Sequence, residues 1–177
     1  MFFNKDDTSK MQFVYGPPPV YTDKDIKRIK DQNSDKIIRR LSENDIYDLV
    51  IIMKRKSNDI SKDILKLWCS AKDPIEPVSL MYGLYRNNKL VSIMGATYCY
   101  TFPTTKSTKG KLVHISGAFT LEEFRHLGYA TMILQYIEKE AKDYFDADYI
   151  CCDSLADGLY LNNGYDYSKE GRLYKRL

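Results

Sequence analysis

The chain has 177 residues, 44% of them apolar and 29% charged, with a formal net charge of +3. That size and balance favour one soluble domain with a real core. The charge is too small to argue for nucleic acid by itself, and no apolar run approaches the ~20 residues that a membrane-spanning helix needs.

Residues 1–35 form a polar lead-in, expected to be an N-terminal extension of a domain over 36–177. Met1 to Lys10 carries Asp6 and Asp7 and does not read as a secretory signal. Gly16-Pro17-Pro18-Pro19 must be extended, because each proline fixes φ and disfavours helix before it. Thr22, with Asp25 three positions on, opens a short helix that offers only Ile26 and Ile29 to a core. Ile37 to Leu41 is a first strand. Ser42 and Asp45 cap a helix with the apolar stripe Ile46, Leu49, Val50 and Met53, closed by the cations Lys54-Arg55-Lys56, which suit a helix C-terminus. A second helix spans 61–71, with Ile64, Leu65 and Trp68 on one side.

The period then changes. Leu80 to Tyr85 and Leu90 to Thr101 are β-rich and meet at Arg86-Asn87-Asn88-Lys89, where Asn-Asn tolerates positive φ and signals a hairpin. Phe102 to Gly110 is a polar loop, and Lys111 to Thr120 is the fourth strand. A helix from Gly128 puts Tyr129, Met132, Ile133, Tyr136, Ile137, Ala141 and Tyr144 on one face, with Glu138 and Lys142 as an i,i+4 pair on the other. Asp148 to Cys152 is a short buried strand. A brief helix (Leu155 to Asn162) ends at Asn163-Gly164, where glycine supplies a left-handed cap, and Tyr165 to Tyr167 with Gly171 to Lys175 form a closing strand pair. The order describes a mixed α/β sheet without an internal repeat. The cysteines, Cys69, Cys99, Cys151 and Cys152, include no Cys-x-x-Cys pair for a metal. They read as reduced thiols packed as small apolar groups, as in a cytoplasmic protein.

Arg125-His126-Leu127-Gly128-Tyr129-Ala130 carries the most chemistry. It joins the fourth strand to the long helix. A strand that bends into a helix this way exposes several backbone N–H groups at the positive end of the helix dipole, about half an elementary charge, which is a ready anion site. The bend points to a phosphate-bearing ligand.

Two segments, in order and about 35 residues apart, resemble the GNAT acyltransferase superfamily. Thr120-Leu121-Glu122-Glu123-Phe124-Arg125-His126-Leu127-Gly128-Tyr129-Ala130 is similar to the family's strand followed by Arg/Gln-x-x-Gly-x-Gly/Ala. Ala156-x-x-x-Tyr160-x-x-x-Gly164-Tyr165 is similar to its late Ala-x-x-x-Tyr-x-x-x-Gly-Phe segment. The resemblance covers roughly 36–177. It implies the acyl-CoA N-acyltransferase fold, of class α/β (α+β): a central mixed, mostly antiparallel sheet flanked by helices and splayed at the fourth and fifth strands. Two departures stand out. Glu122 occupies a frequent proline position. Asp153 stands seven residues before Tyr160, where asparagine is frequent, and a carboxylate there could face substrate instead.

The resemblance implies an N-acetyltransferase that passes an acetyl group from acetyl-CoA directly to a primary amine of a small molecule or peptide, with no metal. The pyrophosphate would lie on the amides of His126, Leu127, Gly128, Tyr129, Ala130 and Thr131. Gly128 admits it, because a Cβ there would hold the phosphate away. Arg125 would either bond the phosphate or pair with Glu122 or Glu123. The pantetheine amides would pair with backbone at Phe119, Thr120 and Leu121, and the N–H near Thr120 would polarise the thioester carbonyl. Tyr160 would protonate the leaving thiolate; otherwise it packs a short helix. Glu122, Glu123, His114, His126 and Asp153 are the bases on offer, with Glu123 named beside Tyr160 as catalytic and His114 read first as a sheet residue. Phe13-Val14-Tyr15 suits a homodimer contact or a lid alike. Two other readings stay open: a non-catalytic acyl-CoA-binding module on the same fold, and an acylase of charged tRNA, supported only by Lys54 to Lys56 and the tail Arg172, Lys175 and Arg176. No membrane partner is expected.

Overall fold

A computed structural model describes residues 35–55, 78–103, 108–153, 156–168 and 171–177. They belong to the second of the chain's two compact units, Asp35–Leu177. The lead-in helix at Thr22 and the helix expected over 61–71 lie outside the described residues, as do Cys69 and the middle of the Phe102 to Gly110 loop.

Seven strands form one sheet in the order β1-β2-β3-β4-β5-β7-β6. They are β1 (Lys36–Arg40), β2 (Val78–Arg86), β3 (Lys89–Tyr100), β4 (Lys111–Thr120), β5 (Tyr149–Cys152), β6 (Asp166–Tyr167) and β7 (Leu173–Arg176). Every pairing is antiparallel except that of β4 with β5. The β2–β3 hairpin turns at Asn87 (φ 48°) and Asn88 (φ 58°), both left-handed, as the Asn-Asn pair demands.

Helices cover both faces. α1 (Ile46–Lys54) follows a 3₁₀ turn, Glu43–Asp45, and buries Leu49, Ile52 and Met53. α2 (Tyr129–Asp143) joins β4 to β5, and α3 (Asp157–Leu161) joins β5 to β6. The Tyr82 hydroxyl donates to Glu140 of α2 at 3.1 Å. Tyr85, three residues on and so on the opposite side of β2, donates to Asp45 (2.8 Å) and to Asp48 of α1 (3.3 Å). With helices on both sides, β2 and β3 read as nearly unbroken buried runs from Leu80 to Tyr85 and Leu90 to Ala96.

Some details depart from the sequence reading. On α2 the buried stripe is Tyr129, Ile133, Leu134, Ile137 and Ala141. Tyr136 and Tyr144 are exposed at its margin, where Tyr136 tilts against Tyr82 and Tyr144 receives the Arg40 guanidinium on its ring. Glu138 pairs with Lys175 of β7 at 2.7 Å rather than with Lys142, because it sits nearly buried against the sheet while Lys142 faces water. The cap at Gly164 is as expected, with φ 81°.

Candidate active site

Two features of β4 shape the site. The first is a bulge. Ile93 pairs with Phe119 and Gly95 with Ser116, so two steps along β3 match three along β4. Gly117, at φ 62°, takes up the extra residue, a backbone conformation that glycine adopts without steric cost. The second is an early parting. β4 pairs with β5 only from Leu112↔Tyr149 to Ile115↔Cys152. Among the described residues no strand continues along Ser116 to Thr120 on that side, so the sheet splays between its fourth and fifth strands.

The splay exposes selected backbone groups. Leu121 N–H donates to Val91 O of β3 at 3.0 Å, and Ser92 Oγ donates to Phe119 O at 3.3 Å. Ser92 pairs directly with Thr120, flanked by these bonds, so the Thr120 N–H and C=O point the other way, to the open edge. Of Phe119, Thr120 and Leu121, it is Thr120 that offers its donor there. Arg125 Nε donates to Thr120 O at 3.3 Å, and its guanidinium lies over the Phe119 ring. Among the described residues Arg125 forms no ion pair with Glu122 or Glu123, because the bend turns it back along β4.

The bend itself carries two left-handed residues, His126 (φ 61°) and Gly128 (φ 76°). The first bond of the α2 ladder runs from Met132 N–H to Gly128 O at 3.0 Å. The N–H groups just ahead of it, on Tyr129, Ala130 and Thr131, have no carbonyl one turn back and face the helix mouth. Apart from its chain neighbours, a Cβ built on Gly128 meets no atom of the described residues within 4 Å. That open volume beside exposed N–H groups is a cradle a side chain would fill, and it fits a diphosphate.

Tyr160 lies on α3 and is 2% exposed, edge-to-face on Tyr165 at 5.3 Å, with its hydroxyl near the Cys152 thiol. Cys151 and Cys152 are buried; loss of water pushes their thiols up to about 11 and about 12, so neither is a nucleophile near neutral pH. Glu123 sits on the 3₁₀ turn after β4, held by Arg55 (3.1 Å) and Lys89 (3.5 Å). Its own backbone N–H and then those cations lower its proton affinity, which weakens it as a base. His114, on β4, and Asp153, just past β5, come together: His114 Nε2 lies 3.4 Å from Asp153 Oδ2, and Arg172 Nε holds Asp153 Oδ1 at 2.8 Å. Sequence reasoning had both residues as separate candidates and missed the pair. Register alone, Cys151 opposite His114, would have revealed it.

A mixed sheet parted beside an open helix N-terminus defines the acyl-CoA N-acyltransferase fold. The chain belongs to the acetyltransferase (GNAT) family, whose model matches residues 44–165, more than half of its length. No curated protein matches it by sequence. Solved structures do. A predicted acetyltransferase from Clostridium acetobutylicum, solved with acetyl-CoA, is 21% identical over 76% of this chain and 92% of its own, with a TM-score of 0.60. The aminoglycoside 6′-N-acetyltransferase AAC(6′)-Ih from Acinetobacter baumannii is 17% identical over 76% and 92%, at 0.62. The PaiA N-acetyltransferase from Thermoplasma acidophilum, in complex with coenzyme A, is 15% identical over 80% and 99%, at 0.62. At these identities the likeness is one of fold.

Proposed function

We propose that the protein is an acetyl-CoA-dependent N-acetyltransferase that acts directly on a primary amine of a small molecule or peptide. The observation that carries this is the junction of β4 and α2: an open strand edge at Thr120, then a left-handed Gly128 with empty space above it, then unbonded helix N–H groups. The amides from His126 to Thr131 would hold the diphosphate of the coenzyme. Similar folds solved with acetyl-CoA and coenzyme A support that assignment, and the aminoglycoside acetyltransferases among them support a small-molecule amine as acceptor.

When bound, acetyl-CoA supplies an acetyl thioester. The chain's own groups would do the rest. Thr120 N–H points to the open edge and would stabilise charge on the carbonyl oxygen as it develops. The Tyr160 hydroxyl would give a proton to the departing sulfur. That hydroxyl lies near Cys152, the last residue of β5 before the strands part. The test is calorimetry with coenzyme A, followed by thiol release from acetyl-CoA with an alkylamine, an N-terminal peptide amine and an aminoglycoside. No binding heat would refute the coenzyme assignment. Binding without any amine-dependent release would leave a non-catalytic module and refute acetyl transfer.

A further inference from the structure

The pair His114–Asp153 stands where β4 and β5 part. The last paired residues of the two strands are Ile115 and Cys152. His114 is one residue short of that point and Asp153 one residue past it. Both are partly exposed, at 32% and 58% of their side chains. Asp153 engages His114 through Nε2 and is itself anchored by Arg172. Among the described residues no hydrogen bond engages His114 Nδ1. An Nε2–H directed at the carboxylate leaves the Nδ1 lone pair for a proton.

A second observation lies on the same face of the sheet. A cavity of about 70 Å³ is lined by Ser79, Met81, Gly95, Thr97 and Ser116, among others. Thr97 pairs directly with His114, and Ser116 follows it by two residues on the same side of β4. Ser79 and Thr97 share a hydrogen bond of 2.9 Å. The described lining mixes the hydroxyls of Ser79, Thr97 and Ser116 with Leu80, Met81 and Ala96 and holds no charged side chain. Such a cavity has room for a few waters or for the end of an unbranched chain.

We propose that the end of the acceptor carrying its amine enters this hydroxyl-lined cavity, that His114 Nδ1 takes the amine proton, and that Asp153 is a positioning residue that fixes the imidazole. The inference rests on the acetyl-transfer reading of the same site. The bond that forms joins the amine nitrogen to the acetyl carbon, and the bond that breaks joins that carbon to sulfur. The sulfur leaves with the electron pair, and the nitrogen's proton goes to His114. Asp153 contacts Arg172 as well as His114, and the Cys151 thiol opposite His114 is pushed up by burial.

Three measurements on the full chain test this. First, with acetyl-CoA and whichever of the three probe amines is acetylated, His114→Gln lowers kcat/KM by roughly a hundredfold, the lower part of the range for a general base. It also removes the acid limb of the pH profile, while calorimetry with coenzyme A is unchanged. Turnover within about twofold of the parent overturns the base assignment and leaves acetyl transfer standing. Second, Ser79→Val raises the KM for the amine and spares kcat; an unchanged KM overturns the cavity assignment. Third, the chain has only two histidines, so nitrogen-15 NMR resolves each ring. Neutral His114 carries its proton on Nε2, and Asp153→Ala removes that preference. A ring protonated on Nδ1 in the parent overturns the proposal whether or not an acceptor is known. If no amine is acetylated while coenzyme A binds, the acetyl-transfer reading fails, and this inference fails with it.

Discussion

Replacing Gly128 by alanine separates the cost of a backbone conformation from the cost of blocking a ligand. Gly128 has φ 76° and no protein atom within 4 Å of an added Cβ. Alanine there meets no clash, so the protein pays only for a left-handed residue, ~1–2 kcal/mol. Gly171 supplies the control, since its φ is 79° and its Cβ position is equally open, but it precedes β7 rather than α2. Both variants are expected to melt ~2–8 °C below the parent, at ~2–4 °C per kcal/mol for a chain of this size. They differ in coenzyme affinity. A methyl group in the cradle costs at least one charge-assisted hydrogen bond to phosphate, ~1.5–3 kcal/mol. At tenfold for each ~1.4 kcal/mol, that weakens coenzyme A by about ten- to a hundredfold. Thermal melts without ligand and calorimetric titration with coenzyme A measure the two effects separately. If Gly128→Ala binds coenzyme A as well as Gly171→Ala does, the diphosphate does not lie on this turn and the site has been placed wrongly.

Tyr160→Phe keeps the ring on Tyr165 and removes only a hydroxyl. Its expected signature is a large fall in kcat with coenzyme A affinity unchanged and stability within ~1 kcal/mol of the parent; unchanged turnover would leave Tyr160 a packing residue. Asp45 gives a pH prediction. Arg39, in two contacts of 2.6 Å, holds its carboxyl well below the usual range, helped by Ser42 and Tyr85. A carboxylate with a depressed folded pKa stabilises the fold above its unfolded pKa, ~3.9, and loses that contribution as pH falls through the folded value. Asp45→Asn is therefore less stable than the parent by ~1–2 kcal/mol at pH 7, at the lower end for a charged hydrogen bond because Arg39 is 43% exposed. The gap narrows below about pH 4. Urea midpoints at pH 7 and pH 3 check this, and an equal gap at both would refute it.

Most of the elements were legible because their signals are local. The Asn87-Asn88 turn, β4 over Lys111 to Thr120 and the Gly164 cap each follow from a few adjacent residues. What escaped depends on residues distant in sequence. The margin of α2 was misread because Tyr136 and Tyr144 fit the helical period equally well. Only the sheet's position shows that their rings lie over Tyr82 and under Arg40. Glu138 was assigned to Lys142 by spacing, yet Lys175, 37 residues on, reaches it across the packed face. The bulge at Gly117 had no legible signal, since one glycine in a strand does not say which partner it slips against.

The same division runs through the site. The coenzyme half proposed for it would work through the main chain, which leaves a mark in sequence where glycine takes a left-handed φ without steric cost. Gly128, at φ 76°, is such a mark, and it is why one short motif already points to this turn as the proposed diphosphate site. The proton-transfer half proposed for it would work through side chains, and any strand can present a histidine or a carboxylate. His114 and Asp153 are 39 residues apart, and nothing in their spacing joins them. They meet because β4 and β5 run parallel, Cys151 lies opposite His114, and the chain leaves the sheet at once after Cys152. Asp153 is also one of the two positions at which the sequence departs from the family pattern it resembles. An asparagine there could accept a hydrogen bond from the imidazole but would add no charge. A carboxylate anchored by Arg172 would hold the ring in the orientation the proposal needs. If the proposal holds, the His114–Asp153 pair would be how this chain takes the amine's proton.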